Sequence, residues 1–412
     1  MKKRVGIIGG GAAGLFTACM LKRFSDGEDL DITLLEKSPV PGKKLTLTGH
    51  GRCNITNRKN ASVLKDCYHE AGNFIYPALK EFGPDDTIEF IEKHIGLRTK
   101  EKDNNRIFPV CDSAVRVRDA LVSYISDSVK VLCDTKVTAI RKDECFEVET
   151  SKGSHTFDLL VLSCGGSSFT ATGSSGDSYR FAQKLGHTIV PIRAALAPIN
   201  ADSGSLAFTK SLSGVSVTSG ISLYVEGKKA ASTEGEILFA AFGITGPAAM
   251  ELSREIPSDI KDVYLELDLI PSMKDEEFDR ELQDLIKEHA DTKITTLLAR
   301  YMPLSVASEV AERAGAKDLY AQGFSKEKRK ALIREAKHLK MGLAGAPVLE
   351  GAYVTRGGVS LKEVDRKTCM SKVVPGLYII GEALDIDGIS GGFNLQACMS
   401  EAYLVSKSIL SM

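Results

Sequence analysis

The hydrophobic pattern changes period along the chain. Residues 4–8, "RVGII", are a short apolar run, which predicts a buried strand, and "AAGLFTACMLKRF" after the glycine turn predicts a helix. "DITLLEKS" predicts a second strand ending at Glu36. "DTKVTAIRKDECFEVETSKGSHTFD" reads as a meander of strands, and "FDLLVLSCGGSS" (157–168) as another buried strand closed by paired glycines. From 191 to 257, β-rich pieces such as "GISLYVEGKKAAS" and "GEILFAAFGITGP" alternate with turn residues, as in a small barrel or sandwich. The stretch from "YLELDLIPSMKDEEFDRELQ" at 264 to Gly315 is expected to be helical, with Phe278, Leu282, Leu285 and Ile286 at helical spacing. "KEKRKALIREAKHLK" (326–340) predicts another helix, seven of whose fifteen residues are Lys or Arg. The region 374–410 predicts a strand, "GLYIIGE", a glycine-rich turn and a closing helix.

Composition narrows the classes. The chain has 412 residues, 43% hydrophobic and 26% charged, with net charge −1. No global basic field draws nucleic acid, although the helix at 326–340 could meet an anionic partner or simply be a solvated face. Nine cysteines without a CxxC argue against a disulfide framework or a zinc cluster, and the histidines show no metal spacing. A reduced, cytoplasmic setting is expected. The first residues read as a strand rather than a signal peptide, and no apolar run reaches the length of a membrane span, so no membrane partner is expected.

The first forty residues carry the clearest chemistry. Gly9, Gly11 and Gly14 fit GxGxxG between a strand and a helix. Gly9 allows the tight turn, Gly11 lets a pyrophosphate approach the backbone, and Gly14 lets helix and strand pack closely. The amides around Ala12 and Ala13 open the helix N-terminus to phosphate. Glu36, 22 residues after Gly14, suits a ribose hydroxyl pair and repels a 2′-phosphate. The ligand is therefore an adenine dinucleotide, FAD or NAD.

Three features favour FAD. The chain returns at its far end to a strand–Gly–acid element, Gly381-Glu382, followed by Asp387 and by Gly391, Gly392, Phe393, Asn394 and Leu395. A helix after Gly391-Gly392 would aim its N-terminus at the isoalloxazine. Cys164, Gly165 and Gly166 resemble the second glycine element of two-dinucleotide-fold flavoproteins, and Val137 is placed to lie by the adenine as in that superfamily. Lys37, Lys43 and Thr48 flank these stretches and are grouped with them. No second GxGxxG occurs, so NADH or NADPH would bind transiently as electron donor.

The stretch "KLTLTGHGRCNITN" (44–57) holds the reactive-looking residues. Cys53 has no second cysteine close in sequence, which weakens a thiol mechanism. Arg52 suits a contact to flavin or substrate, and His50 an acid–base role or a loop position. The amides of Gly49, Gly51 and Asn54 suit the pyrophosphate or the pyrimidine edge. Asp385 and Asp387 form an acidic pair, better suited to the ribitol than to acid–base work, and Glu382 serves the ribitol or phosphate side. A C=C reductase needs a proton donor beside the hydride donor. Tyr353, Tyr403, Tyr224 and Cys53 are candidates, and the catalytic set is Arg52, His50, Cys53 and Tyr353, with no metal ligands.

"GKKLTLTGHGRCNITN" (42–57), "NRIFP" (105–109), "GSSGDSYRFAQKLGH" (173–187), "GEILFAAFGITGPAAMELS" (235–253), "VTRGGVSLKEVD" (354–365) and "GLYIIGEALDIDGISGGFNLQ" (376–396) follow one another along the chain. Together they resemble the successive signatures of the YhiN-like bacterial FAD-dependent oxidoreductases, a family of aminoacetone oxidase-like and 3-dehydro-bile acid reductase-like flavoproteins. The resemblance implies an α/β fold: a Rossmann-type FAD-binding domain with an inserted β-barrel-like domain and a helical domain. The expected boundaries are 1–190 plus 345–412, 191–257 plus about 336–344, and 258–335. It implies flavin redox chemistry with any of three substrates: an activated C=C bond of a small molecule, uridine in ribosomal RNA, or aminoacetone oxidised by O2. This chain departs from the family pattern at Ala240-Ala241-Phe242, where the family tends to have Thr-His, at Ala397 in place of a tryptophan, and at Cys369. The apolar replacement at 240–242 points to reduction of an enone of the 3-oxo steroid or bile-acid type. No pattern fixes the oligomeric state.

Overall fold

A computed structural model describes residues 2–25 and 30–412. The chain divides into two compact units, Met1–Arg193 with Tyr353–Met412, and Ala194–Ala352.

The first unit is built on a five-stranded sheet. Its strand order is Leu377–Ile379, Leu159–Leu162, Lys3–Ile8, Leu30–Leu35 and Val129–Leu132, every neighbouring pair parallel. Parallel strands are covered on both faces, which is why "LLVL" and "VGII" are unbroken apolar runs. The first helix, Ala12–Phe24, packs against the last, Phe393–Leu410, so the two ends of the chain share one core. The meander is an antiparallel sheet of Val137–Lys142, Phe146–Thr150 and Gly153–Phe157. A further small sheet joins Thr56–Asn57, Arg106–Pro109 and Thr99–Lys102, and anchors the loop that precedes it.

The second unit holds six antiparallel strands, in the order Ile199–Asn200, Gly243–Thr245, Lys228–Ala240, Ser216–Val225, Val263–Asp268 and Leu339–Gly342. The two outer strands meet through an Ala201–Leu343 bridge, with Asp202 N–H donating to Gly342 O at 2.9 Å and Ala344 N–H to Asn200 O at 3.0 Å. The sheet therefore closes on itself and leaves no long open edge. Helices Asp275–Glu288, Ile294–Leu298, Leu304–Arg313 and Lys326–Lys337 pack into the same hydrophobic core as the strands. Two expectations are corrected here. The helix expected over 326–340 ends at Lys337, because Leu339–Gly342 pairs as a strand with Val263–Asp268. "VYLELD" (263–268) is a strand, not the start of a helical stretch; its side chains alternate between buried and half-buried. Period two prevails because both neighbours in the sheet bury that one face.

Among the described residues no helix is long and apolar enough to cross a membrane.

Candidate functional site

At the carboxyl ends of the central strands lies an open groove lined by Gly9, Gly11, Glu36, Lys43, Val137 and Cys164 among others. The three glycines play three distinct parts. Gly9 has φ +100°, and a Cβ there would lie 2.7 Å from Ser163 O. A Cβ on Gly14 would sit 1.9 Å from Gly9 O, so this residue alone lets the helix start so close to the turn. A Cβ on Gly11 would meet nothing within 4 Å. Its face is open, with room for a ligand to approach the backbone. Gly11 also caps the first helix without any side-chain bond, so the amides at Ala12 and Ala13 lack a capping partner from it.

Glu36 follows the second strand as expected. Its Oε2 accepts Gly10 N–H at 2.7 Å and its Oε1 accepts Ser38 N–H at 2.7 Å, which fixes the carboxylate and leaves lone pairs for a diol. Lys37 reaches Ser175 at 2.6 Å and Asp177 at 2.7 Å, and exposed Lys43 reaches Ala171 O at 2.8 Å. Val137 is buried at the head of the meander. The Cys164 thiol donates to Ile8 O, and burial pushes its pKa up to about 12. Gly165 has φ +74°, and a Cβ on Gly166 would lie 2.4 Å from Thr355 Oγ1. The bare face at Gly11, the uncapped helix and the fixed acid fit an adenine dinucleotide.

The far end of the chain completes this unit. Gly381 has φ +66°, and its Cβ would lie 3.0 Å from the Cβ of Ala13, so the turn rests on the first turn of the first helix. Glu382 Oε2 pairs with Lys44 Nζ at 2.6 Å, and Lys44 also donates to Ser168 Oγ at 2.8 Å. Sequence reasoning missed Lys44; the signal was the second lysine of "GKKL", hidden because its partner is 338 residues away. Asp385 accepts Gly357 N–H at 3.0 Å, and burial raises its pKa; Asp387 is buried beside it in sequence. A Cβ on Gly392 would lie 2.7 Å from the Thr56 backbone, and Gly391 and Gly392 both have positive φ. The helix that follows has no side-chain cap. Phe393 and Leu395 are buried, while the Asn394 amide exchanges hydrogen bonds with both backbone groups of Gly388, at 2.8 and 2.9 Å.

The loop 48–54 is held by its own backbone. Thr48 O accepts Gly51 N–H at 3.1 Å and Cys53 N–H at 2.9 Å, and Gly49, His50, Gly51 and Cys53 all have positive φ. His50, Gly51 and Arg52 are exposed. The Arg52 guanidinium lies over the Phe108 ring at 5.4 Å. Cys53 is only 1% exposed, and burial pushes its pKa up to about 12, so the thiolate that a nucleophile needs is disfavoured. Asn54 Oδ1 is enclosed with no hydrogen-bond partner among the described residues. Below the loop, Gln396 Oε1 accepts from Thr56 at 2.5 Å and from Thr87 at 3.0 Å, and its Nε2 donates to Phe82 O and Ser400. This buried network ties the loop to the last helix, and sequence reasoning missed it as well.

The tyrosines are dispersed. Tyr353 is 38% exposed and meets Phe169 edge-on at 5.0 Å. Tyr403 is wedged between Phe24 and Phe82, and Tyr224 stacks on Tyr264 in the second unit. A Ser–His–Glu line also exists: Ser371 Oγ lies 2.9 Å from His187 Nε2, and His187 Nδ1 lies 3.2 Å from Glu363. It is no nucleophile. Ser371 Oγ already accepts the amides of Val373 and Val374 at 3.0 and 2.8 Å, so both lone pairs are occupied.

Residues 3–408 match the family described as the HI0933-like protein Rossmann domain. The chain is 29% identical to a 3-dehydro-bile acid delta(4,6)-reductase of Clostridium scindens, over 98% of each chain. It is 30% identical to a ribosomal RNA dihydrouridine synthase of Haemophilus influenzae, over 98% of this chain and 97% of that one. Among solved structures, a 3-ketosteroid delta1-dehydrogenase of Sterolibacterium denitrificans superposes with TM-score 0.53 at 12% identity, over 99% of both chains. That likeness is one of fold. The chain belongs to the HI0933-like family, whose Rossmann domain is of the FAD-binding, oxidoreductase type.

Proposed function

We propose that this HI0933-like flavoprotein reduces an activated C=C bond in an apolar small molecule, an enone of the 3-oxo steroid or bile-acid kind, with NADH or NADPH as transient donor. The observation that carries the redox reading is one unit in which both chain ends build a cofactor cradle: the bare face of Gly11 and the uncapped helix at Gly392. The full-length likeness to a bile-acid reductase and the apolar Ala240-Ala241-Phe242 support the substrate class.

Bound in the cradle, FAD would supply hydride transfer at its N5. Glu36 would hold the ribose diol, and the amides after Gly11 the pyrophosphate. The Lys44–Glu382 pair would fix the strand-end turn against the ribitol side. Exposed Arg52 and His50 are the loop residues free to orient a substrate or deliver a proton, with Tyr353 as the third candidate; the buried Cys53 is not. The test is anaerobic: reduce the yellow protein with NADH or NADPH, then add enones and follow flavin re-oxidation. If no enone of this class re-oxidises the flavin, the substrate reading falls.

A second reading, dihydrouridine formation in ribosomal RNA, is favoured by the likeness to a protein of that name. The basic helix gives it less support than its composition promises. Lys337 is buried against Asp268 and Arg329 pairs with Asp279 at 2.7 Å, so part of the charge is neutralised internally. Binding of ribosomal RNA with a steep salt dependence would favour this reading over the first.

A further inference from the structure

We infer that Glu401 is a positioning residue of the cofactor site, and that it works as a neutral carboxylic acid holding the Gly381 turn against the first helix. The inference rests on the FAD reading above.

Glu401 lies on the last helix and has no exposed surface. Its Oε2 accepts the Gly381 N–H at 2.6 Å. Gly381 in turn presses on Ala13 in the first turn of the dinucleotide helix, and its neighbour Glu382 reaches Lys44. One carboxyl thus links the closing helix to the turn beside the phosphate-binding amides. The other oxygen, Oε1, is enclosed and has no hydrogen-bond partner among the described residues.

This half-satisfied state decides the protonation. An ionised carboxylate would leave charge on an enclosed oxygen without a donor, which costs several kcal/mol in a protein interior. A neutral acid keeps the bond at Oε2 and carries its proton on Oε1. The surroundings do not rescue the anion. The titratable groups that feel its charge are the Cys398 thiol on its own helix, the Tyr68 phenol from the segment Lys65–Ala71 and the Cys369 thiol ahead of the final strand, none of them a cation. Glu382 adds a further acid near Cys398, and Lys44, the nearby cation, is committed to that acid. Burial accordingly pushes Glu401 up to about 8.

A pyrophosphate on the first helix adds negative charge beside the same turn. The neutral form of Glu401 is therefore the one that accepts the cofactor, and ionisation opposes it. FAD affinity should be flat near neutrality and should fall as pH rises through about 8, approaching tenfold per pH unit.

The experiment is FAD binding to the full-length apoprotein, read by quenching of flavin fluorescence from about pH 6.5 to about pH 9.5, for wild type, Glu401→Gln and Glu401→Leu. Glutamine keeps an oxygen for the Gly381 N–H and cannot ionise. It should bind within a few-fold of the wild type at neutral pH and lose the alkaline fall. Leucine removes the acceptor and should weaken FAD about tenfold or more at every pH. A flat wild-type profile, or an alkaline fall that persists unchanged in Glu401→Gln, overturns the inference while leaving FAD as the cofactor. If Glu401→Leu does not fold, the slope in Glu401→Gln decides alone. Failure of the wild type to bind FAD at any pH overturns the cofactor reading and this inference together.

Discussion

Lys337 in the second unit and Glu401 in the first are both sealed from solvent, and the two units treat them in opposite ways. Lys337 is 2% exposed and donates to both Asp268 oxygens, at 3.0 and 2.9 Å, and to the carbonyls of Ile270 and Met273, at 2.8 and 2.7 Å. Its charge is matched on every side. Glu401 has one bond and one orphaned oxygen. A fully satisfied buried charge fixes a fold, whereas a half-satisfied buried acid is held at a cost, which makes it a candidate for a functional role. Lys337 is satisfied within its unit, whereas Glu401 keeps one carboxyl oxygen without a partner among the described residues.

The contrast can be broken experimentally. The largest expected effect is Lys337→Ala, which strands Asp268 and two carbonyls. It should cost about 3–5 kcal/mol in urea unfolding, and a cost below about 1 kcal/mol would erase the distinction. Gly14→Ala comes next, because its Cβ would lie 1.9 Å from Gly9 O. It should destabilise the first unit by about 3 kcal/mol and abolish retained flavin. Gly11→Ala sharpens the point: it should leave apoprotein melting unchanged while weakening FAD about tenfold or more, since a Cβ there has free space on the protein side.

Glu401→Gln should have a smaller effect on stability, visible only against pH. The folded-state pKa of Glu401 is raised to about 8, so its contribution is complete below the ordinary carboxylate value and is lost as pH rises through about 8. The apoprotein should therefore lose stability relative to Glu401→Gln across that window with a limiting slope of about 1.4 kcal/mol per pH unit, measured by denaturation at each pH. The smallest effect expected is that of Cys53→Ser. The buried thiol should yield to a hydroxyl at a cost of about 1 kcal/mol, with flavin reduction within about twofold of wild type. Loss of reduction with FAD still bound would return Cys53 to the active site.

The glycine cradle was legible in the sequence because its reasons are local. Gly9, Gly11 and Gly14 are constrained by a turn a few residues long, and each of the three roles can be assigned from spacing alone. Strand 263–268 was less legible because "YLELD" runs into a long helical stretch, and only its partners on both sides select period two. The basic stretch 326–340 was misleading as composition, since it did not reveal that Arg329 and Lys337 already have acids.

The sequence by itself determined the α/β class, the dinucleotide cradle, its preference for FAD and the family. The class and the cradle follow from periodicity and from backbone sterics, which act over a few residues, whereas the FAD preference and the family rest on the resemblance of its motifs to known flavoproteins. Only the tertiary structure decided which polar groups are satisfied. Lys44 meets Glu382 across 338 residues, Thr56 meets Gln396 across 340, and Glu401 meets no second partner among the described residues. Whether a buried proton, charge or hydrogen bond finds its complement depends on which distant segments pack together, and no local pattern carries that information.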